Sequence, residues 1–434
     1  MSDQVEPILF ASSAPTRHRW CWWLLIALVA VMVATALADN FVRDTPKNRA
    51  YTSEIFELRQ LMAPAPAGAK SPKKLDELIE KVQIDSKANP RAALIAVIAE
   101  YERDKKVSPE TAKALGKSKF AERAAKRIYI DPADKRAITK IAGNLSSAKP
   151  LEQLMKVHAL EKTGDTTIRE AELGHLSLRL GLMVLVVMAL LVVGVILWVV
   201  QFSRGRPQSP YPGFGLELPT RGDADRVALR LVILLGSFVV SAVLPGNQPG
   251  LVILLYFGAL AIGATVPLFG KPDPLRSVLG RRQPFFWLGA QGVLNEIKAG
   301  PVIVIASILS LGIQQFLPSA SHPGGDELFS NPTPAVAIAF FIQAVLLAPV
   351  VEEFIFRGFM APAIARVSNP TTGILASAMA FACIHPQGIG GWLPLAAFGA
   401  MSGYVAYQTK SLVPSIVMHM LHNGLLLLLT LVAR

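Results

Sequence analysis

Charge is scarce in this chain. Asp, Glu, Lys and Arg make up 17% of its 434 residues, against 52% hydrophobic residues, whereas a soluble domain carries about 25% charged residues. That scarcity excludes an ordinary water-soluble enzyme. Cysteine is scarcer still: the two present, Cys21 and Cys383, lie in apolar stretches and form neither a CxxC pair nor a zinc-ribbon spacing. A disulfide framework is therefore not expected. No Gly-x-Ser-x-Gly turn supports a serine nucleophile, and no His-Glu-x-x-His zinc helix is present. Nucleic-acid motifs are absent too. The formal charge of +12 then reads as membrane apposition, because basic residues flank spans on the cytoplasmic side and meet anionic headgroups.

The apolar residues gather into runs of about twenty, the length a helix needs to cross a hydrocarbon core about 30 Å thick. Spans are predicted at 20–38, 178–202, 227–246, 249–269, 299–317, 334–356, 370–385, 391–408 and 411–432. The apolar piece Phe285 to Leu294 is too short to cross and is placed in the interface. Trp20, Trp22 and Trp23 at the start of the first run favour an uncleaved signal anchor over a cleaved leader. The predicted fold class is an all-α polytopic membrane protein, a multi-helix bundle with an inserted extracytoplasmic helical domain.

Its organisation divides into an N-terminus with anchor (1–38), a soluble helical domain (39–174), accessory spans (175–284) and a transmembrane core (285–434). The soluble part shows helical periodicity in Leu75-Leu78-Ile79-Val82 and Leu94-Val97-Ile98-Tyr101. Ser71-Pro72, Asn89-Pro90, Ser108-Pro109 and Asp131-Pro132 each place a capping residue before a first-turn proline. Arg204, Arg206, Arg221 and Arg226 after the second span are expected in the cytoplasm, as are Lys271, Arg276, Arg281, Arg282 and Lys298 before the fifth. Pro318 to Pro334, with Asp326 and Glu327 and no Lys or Arg, is expected outside. The helical domain falls on that outer side as well.

Ionisable groups inside spans are costly and mark function by default. Glu352, Glu353 and Arg357 end the sixth span, His385 ends the seventh, and His419, His422 and Asn423 lie in the ninth. Glu353 and Arg357 are four apart on a helix and can pair. His419 and Asn423 share a face by the same spacing, while His422 is rotated away and reads as a bystander. Gly399 and Gly403 form a close-packing pair. A carboxylate beside an imidazole can deprotonate a water, directly or through a bound metal, and a second imidazole with an amide can donate to an oxyanion.

These residues fall in three ordered motifs: Glu352-Glu353-Phe-Ile-Phe-Arg357, Phe381-Ala-Cys-Ile-His385 and His419-Met-Leu-His-Asn423. The set resembles the CAAX protease and bacteriocin-processing family over residues of about 285–432. The resemblance implies an intramembrane endopeptidase. It makes Glu352 the water-activating base beside His385, His419 and Asn423 oxyanion donors or metal ligands, and Glu353 and Arg357 the supports of the first helix. Glu352, His385 and His419 suit Zn2+, and the same three suit a metal-free water site. The expected partners are a membrane-associated protein or peptide substrate and the bilayer, with no nucleic acid, in a plasma membrane of bacterial type. Two other classes remain: a non-catalytic scaffold or immunity protein with intact motifs, and a transporter using a buried Glu/His relay.

Overall fold

The structure is a computed structural model. It describes residues 51–64, 72–116, 120–131, 134–203, 284–314, 333–367, 369–385 and 388–432, with isolated positions between 23 and 34 and at 232. Among the described residues every regular element is helical. The predicted spans at 227–246 and 249–269, most of the anchor at 20–38, and the loop from Pro318 lie outside them.

The first region comprises α1 (Thr52–Met62), α2 (Pro72–Gln83), α3 (Pro90–Asp104), α4 (Pro109–Ala114), α5 (Phe120–Ala125, continued by a π-helical turn Lys126–Ile130), α6 (Lys135–Asn144) and α7 (Pro150–Thr163). Helix α3 is its axis. Ala92 to Ala99 are all buried, because alternating alanine with Leu, Ile and Val lets neighbours close on every side. Against it lie Leu75, Leu78, Ile79 and Val82, the apolar stripe of α2. Caps set the chain's entries. Asn89 accepts from the Arg91 amide at 2.8 Å and Ser108 from the Thr111 amide at 3.3 Å, each ahead of a first-turn proline. The expected cap at Asp131 is corrected: Asp131 closes the π-helical turn, and Asp134 starts α6 by accepting from the Ala137 amide at 2.7 Å. A capping oxygen sits two or three residues ahead of the amide it accepts from, and Asp134 has that spacing to Ala137.

The second region begins inside the first. Helix α8 (Ile168–Ser203) runs 36 residues, about 54 Å. Its start belongs to the core of the first region through Leu173, and its remainder is mostly apolar and exposed. Helix α9 (Phe285–Gln314) corrects the interfacial assignment of Phe285 to Leu294: that piece is the first third of one continuous helix. The polar break that hid it, Asn295 to Lys298, is accommodated by partners. Asn295 donates to the Gln291 carbonyl (2.7 Å), Glu296 meets His422 (2.9 Å), and Lys298 donates to Gln201 on α8 (2.9 Å). Helix α10 runs through Pro334–Phe340, Phe341–Leu347, Ala348–Glu353, Phe354–Met360 and Ala361–Val367; α11 is Pro370–Cys383, α12 Gly388–Thr409 and α13 Val413–Val432. Among the described residues four stretches are long and apolar enough to cross a membrane: Ile168–Ser203, Phe285–Gly312, Pro334–Gly358 and Val413–Val432.

Lipid gives helices no hydrophobic reason to associate, so close backbone approach and polar ties must do it. A Cβ on Gly194 would fall 2.4 Å from the Ile297 carbonyl of α9, and one on Gly292 2.8 Å from the Pro414 carbonyl of α13. Prolines supply the polar ties. Pro394 within α12 removes the donor for the Gly390 carbonyl, and the Ser310 hydroxyl of α9 donates to that oxygen instead. In α10 the segments Phe341–Leu347 and Phe354–Met360 are π-helical, and each runs into an Ala-Pro pair. In the first, the Ala348 amide reaches back to Gln343. The Ala344 carbonyl is then left facing Pro349, which has no N–H to give. Asn423 of α13 donates its amide to this oxygen at 2.7 Å. Freed carbonyls at membrane depth are tolerated when a neighbouring helix satisfies them.

Candidate active site

Glu353 is the hub. It is fully buried, and its Oε1 accepts from Arg357 Nη1 at 3.0 Å and from His419 Nδ1 at 2.9 Å. Its Oε2 accepts from the Ser402 hydroxyl at 2.6 Å. One carboxylate thus ties α10 to α12 and α13. Three donors, one of them a guanidinium, satisfy its two oxygens. A buried carboxylate in an apolar bundle is retained only with such pairing. Gly399 makes room, since a Cβ there would fall 2.9 Å from Arg357 Nη2 and 3.0 Å from Ala378 of α11. Gly403 lies similarly close to Ile374. The small-xxx-small spacing therefore serves both helix approach and the arginine.

Phe381 is the second organiser. Its ring lies 4.5 Å from the Arg357 guanidinium, 4.5 Å from the His385 ring and 5.6 Å from the His419 ring, centre to centre. Phe398 closes the other side of His419 at 4.9 Å. Both imidazoles are thereby packed, and hydrogen bonds fix their tautomers. His385 Nδ1 meets the Phe381 carbonyl at 2.7 Å. A carbonyl only accepts, so Nδ1 carries the hydrogen and Nε2 is bare in the neutral ring. His419 Nδ1 donates to Glu353 in the same way, leaving its Nε2 outward.

Both outward nitrogens face one atom. Glu352 Oε2 lies 3.7 Å from His419 Nε2 and 3.9 Å from His385 Nε2. These separations exceed a direct hydrogen bond and suit groups that share a small third species between them. The structure therefore brings Glu352, His385 and His419 together on three elements. It places Glu353 and Arg357 behind them. Asn423 lies one turn beyond His419, with one amide hydrogen directed to the Ala344 carbonyl. Ser402 escaped sequence reading, although a serine between Gly399 and Gly403 in an apolar helix is a usable signal. Glu296 and His422 also form a pair that spacing alone does not reveal.

The donor types fit zinc: two bare Nε2 atoms, each oriented by an acceptor behind Nδ1, and a carboxylate. As the side chains stand, no group of three His, Cys, Asp or Glu among the described residues is gathered into a metal site.

Residues 334–425 match the family described as type II CAAX prenyl endopeptidase Rce1-like. The match contains all three motifs and is consistent with the CAAX protease and bacteriocin-processing family. No curated protein and no solved structure is detectably similar to the chain. The matched region supports a protease, and the apolar helices make the chain a membrane protein.

Proposed function

We propose that the chain is an intramembrane endopeptidase that cleaves a membrane-associated protein or peptide with a water activated by Glu352. The observation that carries this reading is the convergence of His385 Nε2 and His419 Nε2 on Glu352 Oε2. A water between them gives one hydrogen to Glu352 and directs the other to His385 Nε2, while its oxygen attacks the substrate carbonyl carbon. As the C–O bond forms, the carbonyl π electrons move onto oxygen. To serve as an oxyanion donor His419 must carry a hydrogen on both nitrogens, keeping Nδ1–H on Glu353 and turning Nε2–H to the oxyanion. The second amide hydrogen of Asn423, steadied by the Ala344 bond, is the further donor. Glu352 finally passes its proton to the amide nitrogen, the C–N bond breaks, and a carboxylic acid and an amine leave.

Zinc held by Glu352, His385 and His419 would polarise the carbonyl and acidify the water; His419 would then hold it through a bare Nε2, in the neutral tautomer with Nδ1–H on Glu353. Glu353, Arg357 and Ser402 hold positions and touch no reacting atom in either version.

The test compares membrane peptides released in cells making wild-type or Glu352→Gln protein at matched levels. A set of peptides should disappear with the variant, since losing a general base costs about 10²–10⁴-fold. Identical peptide profiles would sink the protease reading. A strong chelator separates the two versions: activity that survives it favours the metal-free water. The region from 39 to 174 belongs, in this reading, outside the cytoplasm with Pro318 to Pro334. A cysteine replacing the exposed Lys87 should react with an impermeant thiol reagent on intact cells.

A further inference from the structure

Glu296 lies midway along the apolar stretch Phe285–Gly312 of α9, outside the matched region. A carboxylate there needs a reason. Its Oε1 meets His422 Nδ1 at 2.9 Å, and the two side chains are 13% and 16% exposed. Its Oε2 is buried and has no hydrogen-bond partner among the described residues. Lys298, the nearest cation along the helix, is rotated by about 200° and reaches Gln201 instead. Gly292, four residues earlier on the same face, fits against Pro414 and Val417. Helices α9 and α13 therefore run in the same direction, with the pair about one turn beyond their closest approach.

The pair is a near neighbour of the site. His422 stacks on Phe398 with centres 4.5 Å apart and planes at 27°, and the same ring meets His419 edge-on at 4.9 Å. Two histidines three residues apart on α13 thus each direct Nδ1 to a carboxylate of a different helix. In neutral His422, with Nδ1 donating, Nε2 is an acceptor. Together with Glu296 Oε2, the pair presents acceptors only, beside a site that handles peptide bonds. Water-activating residues on the far side of Phe398 already have their own base, so a second base is not what the chemistry lacks. A peptide held for cleavage brings N–H groups that must be received.

We propose that Glu296 and His422 form a substrate subsite that accepts an N–H donor from a residue flanking the scissile bond, either its main-chain amide or a cationic side chain. This rests on the protease reading above. Glu296 receives the donor, and His422 holds the Glu296 carboxylate in place.

The test uses the full chain in liposomes and quenched-fluorescence peptides carrying a membrane anchor. At each position flanking the cleaved bond the peptide carries Lys, Met or an N-methylated residue. Cleavage must first be abolished by Glu352→Gln; its persistence would sink the protease reading and the subsite with it. Given Glu352-dependent cleavage, Glu296→Gln should raise KM about 10- to 100-fold, the cost of a charge-assisted hydrogen bond, with kcat within about threefold. If the donor is cationic, the preference for Lys over Met at one position disappears in Glu296→Gln. If it is main-chain, N-methylation there weakens wild type as much as the substitution does, and the two together do no further harm. Glu296→Asp, which keeps the charge and draws the oxygen back, should lie between, and it carries the test if Glu296→Gln fails to fold. An unchanged KM in folded Glu296→Gln sinks the subsite alone. So does a fall in kcat with a displaced pH profile at constant KM, which would assign the pair to proton transfer.

Discussion

Among the described residues the same arrangement occurs twice, once in each region. In the first region Glu102 accepts from His158 Nε2 at 2.9 Å and from Arg169 through two bonds of 2.8 Å. In the second, Glu353 accepts from His419 Nδ1 and Arg357 Nη1. Both are carboxylate, imidazole and guanidinium in an apolar surround. The difference is at the far nitrogen of each imidazole. His158 Nδ1 faces the Tyr129 hydroxyl at 3.0 Å, so both ring nitrogens are engaged and the triad is closed. His419 Nε2 faces Glu352 at 3.7 Å, and the triad is open. Burial and pairing alone therefore do not mark a site; an imidazole with one nitrogen held and the other aimed at an ionisable neighbour does.

Removing the carboxylate charge gives the largest break in that comparison. Glu353→Gln strands the fully buried Arg357 and should cost about 3–5 kcal/mol of stability, whereas Glu102→Gln should cost less, because Arg169 keeps its bonds to Glu161 and to the Met62 carbonyl. Their effects on turnover should separate completely. Glu353→Gln should abolish cleavage even in the surviving folded fraction, because it frees Nδ1 of His419. Glu102→Gln should leave turnover per folded molecule nearly intact, since distant sites combine additively. Equal activity losses in the two variants, measured at matched folded protein in detergent, would dissolve the distinction between open and closed triads.

Acidification probes the closed triad next. Burial opposes charge on Glu102, but the hydrogen bonds from His158 and Arg169 and the charge of Arg169 outweigh it and hold the carboxyl well below the usual range. Burial lowers His158 as well, against the pull of Glu102, and keeps the ring neutral. Both shifts have one sign. The unfolded chain binds protons that the folded one refuses, so stability is present above the ordinary values and falls with pH. The loss starts at about 6.5 through His158 and continues below about 4.5 through Glu102, at up to about 1.4 kcal/mol per pH unit for each group. Hydrogen exchange, corrected for intrinsic rate, should show α3 and α7 losing protection between pH 7.5 and 5.5. In His158→Gln the pH dependence over that interval should vanish, whatever the variant's absolute stability; equal sensitivity in both proteins sinks the assignment.

Legibility in the sequence also divides along these regions. Asn89-Pro90 and Ser108-Pro109 show their helix starts because capping is local, and the stripe Leu75 to Val82 shows its buried face by period alone. Helix α9 did not show its length. Asn295, Glu296 and Lys298 interrupt its apolar run, and Gln201 and His422, the partners of the last two, lie about a hundred residues away in the chain. The π-helical turns of α10 were hidden too, since Ala-Pro marks a disturbance without saying which neighbour will receive the freed carbonyl. In the site, motif spacing displays Glu352, His385 and His419 together. Ser402 and Glu296 belong to no motif, and a lone polar residue in a span acquires meaning only when the opposing helix is known.

The smallest expected effect tests the hydroxyl that completes each triad. Ser402 donates to Glu353 Oε2, and Tyr129 donates to His158 Nδ1 in the neutral ring. The first bond is charge-assisted and the second is neutral, so their losses should differ. Ser402→Ala leaves one oxygen of a fully buried carboxylate without that donor and should cost about 1.5–3 kcal/mol; Tyr129→Phe should cost about 0.5–1.5 kcal/mol. Function should separate them more clearly than stability does. Ser402 is the polar tie from α12 to Glu353, and Glu353 seats His419, so a shifted seat should lower kcat by about tenfold, equivalent to 1.4 kcal/mol of barrier, with little change in KM. Ser402→Thr, which keeps a hydroxyl, should recover part of that loss if its extra methyl is accommodated. Tyr129→Phe bares an imidazole nitrogen, but His158 is wholly buried in the core of the first region and has no substrate to meet, so cleavage should be unaffected. Thermal midpoints and turnover of the same reporter peptide read both quantities. A Ser402→Ala protein with wild-type kcat would reduce its hydroxyl to packing and return the seating of His419 to Arg357 and Glu353 alone.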